Sequence, residues 1–243
     1  MASLKGQKIV VVGGSSGIGL GVAAAALQHG ADVVIVGRST GKLEAAQRSL
    51  GQDRRVTSLA IDITKEHEVA RAFDEVGAFD HLVSTAGTPP PGDPIERIDI
   101  DVVRRFFDSK LISAVTLAKH AARTLRKGGS MTFTSGINKD RPPVPGGAVV
   151  AAIAGSFGYF AHALALELAP TRVNVVSPGW VDTPMWDDMV GEAKVGYFAQ
   201  MAARLPAGRI ATPADVAAAY VYLMESELTT GETMHIDGGQ RLV

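Results

Sequence analysis

The chain of 243 residues contains no cysteine. Disulfide bonds, thiolate metal ligands and cysteine nucleophiles are therefore excluded, and we assign no metal site. The net charge is only −1, and without a basic patch we expect neither nucleic acid nor a membrane surface as a partner. The first apolar run is far too short for a signal peptide, and no stretch approaches the ~20 apolar residues of a membrane span. A cytoplasmic protein is the expectation.

Apolar residues make up 46% of the chain and charged residues 20%, which is enough for a large core. No linker or repeat divides residues 1–243, so we predict a single domain. Short β-branched runs alternate with amphipathic helical segments, a pattern typical of a Rossmann-type, doubly wound, mostly parallel sheet with helices on both faces. Seven strands are predicted, at residues 8–12, 32–36, 55–60, 81–83, 130–134, 172–177 and 233–236.

A glycine-rich loop follows the first predicted strand, in the segment KIVVVGGSSGIG at residues 8–19. Its glycines allow a tight turn and a close approach of phosphates to the backbone, its serines offer hydroxyls, and a helix over 17–29 would direct free N–H groups at the same point. The alternative is a strand, turn and helix in which the glycines serve only packing. The predicted phosphate site comprises Gly13, Ser15, Ser16, Gly17, Ile18 and Gly19, with Gly14 in the same turn.

Residues that follow the second and third strands suggest which dinucleotide binds. Arg38, with Ser39 beside it, stands where a site specific for NAD would have a carboxylate, and a guanidinium suits a 2′-phosphate. NADP(H) is therefore predicted in preference to NAD(H). Asp62 and Ile63 are placed to receive the adenine ring, although Asp62 is equally typical of a residue that caps the next helix.

Six motifs resemble those of the short-chain dehydrogenase/reductase family in order and spacing. The resemblance implies that the nicotinamide end of the site includes Ala86, Gly87, Pro178, Gly179, Val181 and Thr183. The motifs are the glycine loop, with Gly13 in place of the usual Thr, then Asp62-Ile63, the segment STAG at 84–87, the segments LELAPTRVN and PGWVDTP at 166–174 and 178–184, and the ending at 231–239.

The family's catalytic pair, a Tyr and a Lys four residues later, is missing. The family spacing places these positions at Val150 and Ala154, and the first tyrosine of the chain is Tyr159, which should face away. Ser135 is a candidate for the family's serine, or a strand-end hydroxyl that caps local backbone. Lys110 falls where the family has a helix Asn, and it either extends to solvent or reaches the cleft.

The segment 184–212 is rich in Met and aromatic residues, and the resemblance implies that it covers a small-molecule substrate. The helix that begins at Thr212 and the last strand imply a homodimer or homotetramer. Two hypotheses on function remain. One is an NADP(H)-dependent oxidoreductase for a small apolar carbonyl or alcohol that uses Ser135 and Lys110; the other is a non-catalytic NADP-binding sensor, scaffold or partner subunit. A non-redox enzyme is a weaker third.

Overall fold

The computed structural model describes residues 3–88 and 90–243 and contains the predicted sheet. All seven strands are parallel and lie in the order β3-β2-β1-β4-β5-β6-β7. This order confirms the predicted Rossmann-type fold. The strands are β1 (Lys8–Val12), β2 (Asp32–Gly37), β3 (Val56–Ala60), β4 (Phe79–Ser84), β5 (Leu125–Thr134), β6 (Arg172–Pro178) and β7 (Thr233–Ile236).

Two strands begin earlier than the sequence predicts. β4 begins at Phe79 and β5 at Leu125, because these two residues pair across a shift in register that the polar, glycine-containing start of β5 had concealed. The nine α-helices among the described residues are α1 (Gly17–Gln28), α2 (Thr40–Ser49), α3 (Glu66–Val76), α4 (Ile100–Phe107), α5 (Ser113–Ala121), α6 (Gly147–Glu167), α7 (Pro184–Val190), α8 (Lys194–Arg204) and α9 (Pro213–Glu225).

The central strand β1 is apolar on both faces because helices cover both. Val10 and Val12 belong to one core cluster, which includes residues of α3, α5 and α6. Ile9 and Val11 belong to a second cluster on the opposite face, with residues of α1 and α9. Alternate side chains of a strand point to opposite faces, so burial on both sides requires a continuous apolar run.

Helix α6 corrects one expectation from the sequence. Its 21 residues are long and apolar enough to cross a membrane by length and composition, although we had expected no stretch of that kind. The contacts explain part of its apolar character, since a third of the apolar window is buried: Ile153, Phe157 and Ala161 lie in the first core cluster, and α6 packs along β6. A helix that lies against a sheet within the core passes the same test of length and hydropathy as a membrane span.

The motif RVN at 172–174 has a structural role. Arg172 donates hydrogen bonds to the carbonyl oxygens of Leu223 and Met224 at the end of α9, which satisfies acceptors that a helix terminus leaves unpaired. Asn174 Nδ2 donates to Thr229 O at 2.9 Å. These bonds fix the end of α9 and the turn that leads into β7.

Candidate active site

The site lies at the carboxyl end of the sheet, where the chain order reverses. β1 is flanked by β2 on one side and β4 on the other, and the loop after β1 therefore opens into the crevice in which doubly wound sheets bind ligands. The N-terminus of the 12-residue helix α1 points into this crevice from the glycine loop. Its positive end favours an anion such as a phosphate.

Glycine is required in this loop by close contacts. Gly13 has φ of +84°, and a Cβ there would lie 2.6 Å from Thr85 Oγ1 and 2.8 Å from Ala86 N. A Cβ on Gly19 would overlap the carbonyl oxygen of Gly13. The loop therefore has its tight shape only with glycine, which supports the phosphate-cradle interpretation without excluding packing.

The same loop also contacts the other end of the predicted site. Gly17 has φ of +52°, and a Cβ there would lie 3.1 Å from Thr183 Cγ2. Ser16 is the N-cap residue of α1 but makes no side-chain capping hydrogen bond. A ligand oxygen can therefore bind the N–H groups that a capping side chain would otherwise occupy.

Arg38 and Ser39 follow β2 and are exposed. Ser39 caps α2, since its side chain accepts a hydrogen bond from Lys42 N at 3.4 Å. Arg38 lies near Asp62, where its positive charge helps to lower the pKa of the Asp62 carboxyl. Arg38 is thus free to approach a ligand, while Ser39 already has a structural role.

Asp62 stabilises a turn before α3 and is not the cap of that helix, which the alternative interpretation had predicted. Its Oδ1 accepts hydrogen bonds from Thr64 N at 3.0 Å and Thr64 Oγ1 at 2.8 Å. Burial raises the pKa of this carboxyl, but the bonds from Thr64 and the charge of Arg38 outweigh burial and lower it. The helix cap itself is Lys65. Ile63 is 8% exposed and lies in the core, so its predicted contact with adenine stays a prediction.

The residues predicted for the nicotinamide end come from two loops. Ala86 and Gly87 follow β4, and Thr183 is the N-cap residue of α7, with a proline in the first turn. Val181 is 4% exposed and forms an isolated parallel β-bridge with Ala211. The pair at 178–179 is closely packed, since a Cβ on Gly179 would lie 2.8 Å from Asp237 Cα.

Ser135 and Ala154 are in direct contact. Ser135 Oγ donates a hydrogen bond of 2.6 Å to Ala154 O, the backbone of the position at which the family resemblance places a lysine. Val150 and Ala154 are 7% and 8% exposed. The Ser135 hydroxyl proton is therefore engaged by α6, and the face of that helix beside it is apolar. The bond resembles the capping alternative in that Ser135 binds backbone, but the backbone is that of α6, 19 residues away, and is not local.

Lys110 lies on a π-helical turn, Asp108–Ile112, between α4 and α5. The widened turn is held by Ser113 Oγ, which donates to Asp108 O at 2.6 Å, and turns of this kind are frequent at functional sites. A Cβ on Gly87 would lie 2.6 Å from Lys110 Nζ and 2.8 Å from its Cδ. The structure therefore brings the predicted catalytic amine onto the predicted cofactor loop.

The ammonium group of Lys110 has an unusual environment. The side chain is partly buried, and within residues 3–88 and 90–243 it has no hydrogen-bonding or ion-pair partner. Burial lowers the pKa of Lys110 to about 8, because a desolvated ammonium without a counter-charge favours the neutral amine. Tyr159, by contrast, is 84% exposed on α6, as expected for a tyrosine that faces away from the site.

The segment 184–212 forms α7, a 3₁₀ turn and α8, which share an aromatic cluster. Trp186 lies 5.6 Å from Tyr197 and 5.5 Å from Phe198, and Trp180 lies 6.3 Å from Tyr197, as ring centroids. Trp180 follows the Pro178-Gly179 pair directly in the sequence. The cluster therefore connects this segment to the end of β6, as expected for a segment that covers the cleft.

Lys194 at the start of α8 was not identified from the sequence. Its Nζ lies 2.7 Å from Asp182 Oδ1 and 2.7 Å from Asp187 Oδ1, and 5.5 Å from the centroid of the Phe198 ring. Hydrogen bonds to the two carboxylates raise the pKa of Lys194. The sequence signal for this bridge was limited to the presence of acidic residues before Lys194.

A second cluster includes the polar segment after β5. Lys139 Nζ donates to Asp140 Oδ2 at 2.6 Å and to His235 Nε2 at 2.9 Å. The side chain of Lys139 is only 17% exposed. No sequence pattern predicts this cluster, because His235 comes from β7, almost a hundred residues away.

The parallel sheet, its reversal point and the glycine loop define a dinucleotide-binding protein of the Rossmann type. A family model described as enoyl-(acyl carrier protein) reductase matches residues 12–241. A short-chain dehydrogenase/reductase of Stachybotrys chlorohalonatus is 34% identical, with 98% of each chain covered. The chain belongs to the short-chain dehydrogenase/reductase family, whose members are oxidoreductases that use a nicotinamide cofactor.

Solved structures agree with this assignment. The MalC reductase/Diels-Alderase from Malbranchea aurantiaca superimposes with a TM-score of 0.92 at 29% identity, covering 99% of this chain and 98% of that chain. A small-chain dehydrogenase in complex with NADPH has a TM-score of 0.82 at 32% identity, covering 98% of this chain and 100% of that chain. The likeness thus extends over the whole sheet and both sets of helices.

Proposed function

We propose that the protein is an NADP(H)-dependent oxidoreductase that acts on a small apolar carbonyl or alcohol, with Lys110 as its proton donor and acceptor. The observation that carries this proposal is the contact between the Lys110 side chain and Gly87. It places an ionisable amine on the loop that the family resemblance assigns to the cofactor. With a pKa of about 8, Lys110 is mostly charged at neutral pH and able to exchange a proton.

The residues of the cleft fit a dinucleotide. The glycine loop leaves room for a phosphate and the N-terminus of α1 has no side-chain cap. Arg38 is exposed after β2 and suits a 2′-phosphate, and a similar dehydrogenase was solved with NADPH. When bound, the nicotinamide would supply or accept the hydride. These features support a preference for NADP(H) over NAD(H).

Ser135 and Lys110 would have different roles in the reaction. Because the Ser135 hydroxyl donates to Ala154 O, it can accept a hydrogen bond from a substrate hydroxyl but does not polarise a carbonyl by donation unless that bond breaks. Lys110 would then hydrogen-bond the substrate oxygen and protonate it during reduction. A positioned general acid typically contributes 10²–10⁴-fold, and correct positioning of the reactants contributes as much or more.

The apolar surface beside Ser135 favours the alternative of a non-catalytic NADP-binding sensor, scaffold or partner subunit. One experiment separates the two functions. NADPH and NADH are titrated against the thermal midpoint, and NADPH oxidation is then followed with a panel of apolar aldehydes and ketones. Stabilisation by NADPH with oxidation supports the enzyme, stabilisation without oxidation supports the binder, and no stabilisation contradicts both. A ligand at 100 times its Kd adds about 2.7 kcal/mol.

A homodimer or homotetramer and a cytoplasmic location complete the proposal. Large apolar side chains are exposed on α4, the following turn and α6, namely Ile100, Ile112, Tyr159 and Leu166, and they support self-association. Light scattering at several concentrations would test the oligomer, with a concentration-independent monomer as the contradicting result. Imaging of the tagged chain in its own cell would test the location.

A further inference from the structure

We propose that Lys110 is also a carbonyl-capturing amine, which attacks a small aldehyde or ketone in the cleft and forms an imine with it. The inference deepens the proposed function, on which it rests for the location of the cleft and for the carbonyl class of substrate. In the reaction, the Nζ lone pair of the neutral amine forms a C–N bond, Nζ loses its two protons, and the carbonyl oxygen takes up two protons and leaves as water as its bond to carbon breaks; the imine hydrolyses by the reverse steps. No oxidant or reductant is needed.

The first support is the absence of a competing partner. Two other lysines are already paired: Lys139 with Asp140 and His235, and Lys194 with two aspartates. Lys110 has no such partner among the described residues of the chain. A hydrogen-bonded or ion-paired ammonium is held in its unreactive form, whereas an unpaired amine is available as a nucleophile.

The second support is the surrounding surface. The π-helical turn at 108–112 packs against α6, and residues 147–154 of that helix are only Gly, Ala, Val and Ile. This stretch of α6 therefore brings no carboxylate to the amine. On the other side Gly87 has no side chain, and the Lys110 chain from Cδ to Nζ packs onto its backbone. The amine is thus partly buried and lies against the predicted cofactor loop.

The third support is the protonation state that this position imposes. Burial lowers the pKa of Lys110 to about 8, whereas an exposed lysine titrates near 10.4. At pH 7 the neutral fraction of Lys110 is therefore about 200-fold larger than that of an exposed lysine. Because a less basic amine is also a weaker nucleophile, we expect the rate advantage to be smaller, at least about tenfold.

The experiment traps the imine on the intact protein. Butanal, a small apolar aldehyde, is added with sodium cyanoborohydride, which reduces an imine to a stable butyl-lysine, and each site is quantified by peptide mass spectrometry. Lys127, an exposed residue, is the internal reference. We expect Lys110 to be labelled at least about tenfold faster than Lys127 at pH 7, with the ratio falling towards pH 10. Equal or slower labelling of Lys110 at every pH overturns the inference.

Matched variants keep the test specific. Lys110→Arg retains the positive charge but cannot form this imine, and the fast-labelled site should disappear while the other lysines are unchanged. Lys139→Arg should leave the fast site in place. Labelling also separates this inference from the proposed function, because NADPH oxidation is measured independently. Fast labelling without NADPH oxidation supports imine formation alone, and oxidation without fast labelling supports the reductase alone.

Discussion

The two ends of the cleft differ in what the chain provides. At the phosphate end, the glycine loop and the uncapped start of α1 offer backbone N–H groups and space. At the catalytic end, Ser135 is bonded to Ala154 O and Val150 is apolar, whereas Lys110 is a titratable group in contact with the predicted cofactor loop. The comparison teaches that nucleotide binding depends on backbone shape, whereas proton transfer depends on a few side chains that can change independently.

Removal of the Lys110 amine should produce the largest effect, a loss of kcat at the catalytic end. We expect Lys110→Met to lower kcat by about 10²–10⁴-fold on the best carbonyl of the panel, with NADPH affinity nearly unchanged. Because the charged amine is the proton donor, the wild-type rate of reduction should fall as pH rises through about 8, whereas the residual rate of the variant should not. Steady-state kinetics from pH 6 to 10 measure both effects.

Two controls accompany this variant. Lys110→Arg keeps the charge but does not lose its proton, so it should be nearly as slow as Lys110→Met if proton transfer is the role of this residue. Loss of an unpaired, partly buried ammonium should also stabilise the fold by about 1–3 kcal/mol in urea unfolding. A wild-type rate of reduction by Lys110→Met would contradict the role of Lys110 in proton transfer.

A substitution in the glycine loop should disrupt the phosphate end of the cleft. Gly13→Ala adds a Cβ at φ of +84° that meets Thr85 and Ala86, so the loop must shift. We expect about 2 kcal/mol of lost stability and at least tenfold weaker NADPH binding, measured by urea unfolding and calorimetry. The matched control is Gly41→Ala in α2, where a Cβ meets nothing within 4 Å and should add about 0.5–1 kcal/mol of stability. NADPH binding by Gly13→Ala at wild-type affinity would contradict the cradle.

The fold could be predicted because its signals are local. A β-branched run buried on both faces, as in β1, requires only the residues of that run. The helix that begins at Thr212 was likewise visible locally, and Thr212 is the N-cap residue of α9. The starts of β4 and β5 were missed because the pairing of Phe79 with Leu125 depends on a register shift. No local pattern encodes such a shift.

The site was predictable where it depends on backbone shape. Gly13 and Gly19 were identified from the glycine-rich loop, and the structure shows that a side chain does not fit at either position. The bond from Ser135 to Ala154 O, the contact of Lys110 with Gly87, and the pairing of Lys139 with His235 all join distant segments. Their geometry follows from the packing of whole elements, which a sequence pattern does not contain.

Arg38 should distinguish the two cofactors more modestly. Arg38→Ser should weaken NADPH binding by about tenfold, the value of one charge-assisted hydrogen bond, and leave NADH binding unchanged because NADH has no 2′-phosphate. Arg48→Ser, an exposed position on α2, serves as the control for a general loss of positive charge. Calorimetric titration with each nucleotide gives the four affinities. Equal weakening of NADPH and NADH would assign Arg38 to a general role.

The smallest effect should come from the segment that connects to the catalytic end. Lys194 bridges Asp182 and Asp187, whose side chains are 51% and 60% exposed, so water screens both ion pairs and Lys194→Met should cost less than about 1 kcal/mol of global stability. The loss should be local, because Asp182 lies next to Thr183 at the end of the cleft while Lys194 begins α8. Proteolytic cleavage within 184–204 should accelerate by up to about fivefold.

A matched surface pair shows whether that acceleration is specific. Lys119 pairs with Glu66 at 2.6 Å, with side chains 63% and 56% exposed, and Lys119→Met should leave cleavage within 184–204 unchanged. Saturating NADPH should slow cleavage in the wild type if Thr183 contacts the nucleotide, and it should slow cleavage less in Lys194→Met because the bridge no longer connects α8 to that residue. The same protection in both proteins would mean that α8 is held by the aromatic cluster of Trp186 alone, and that the covering segment is independent of the cofactor end.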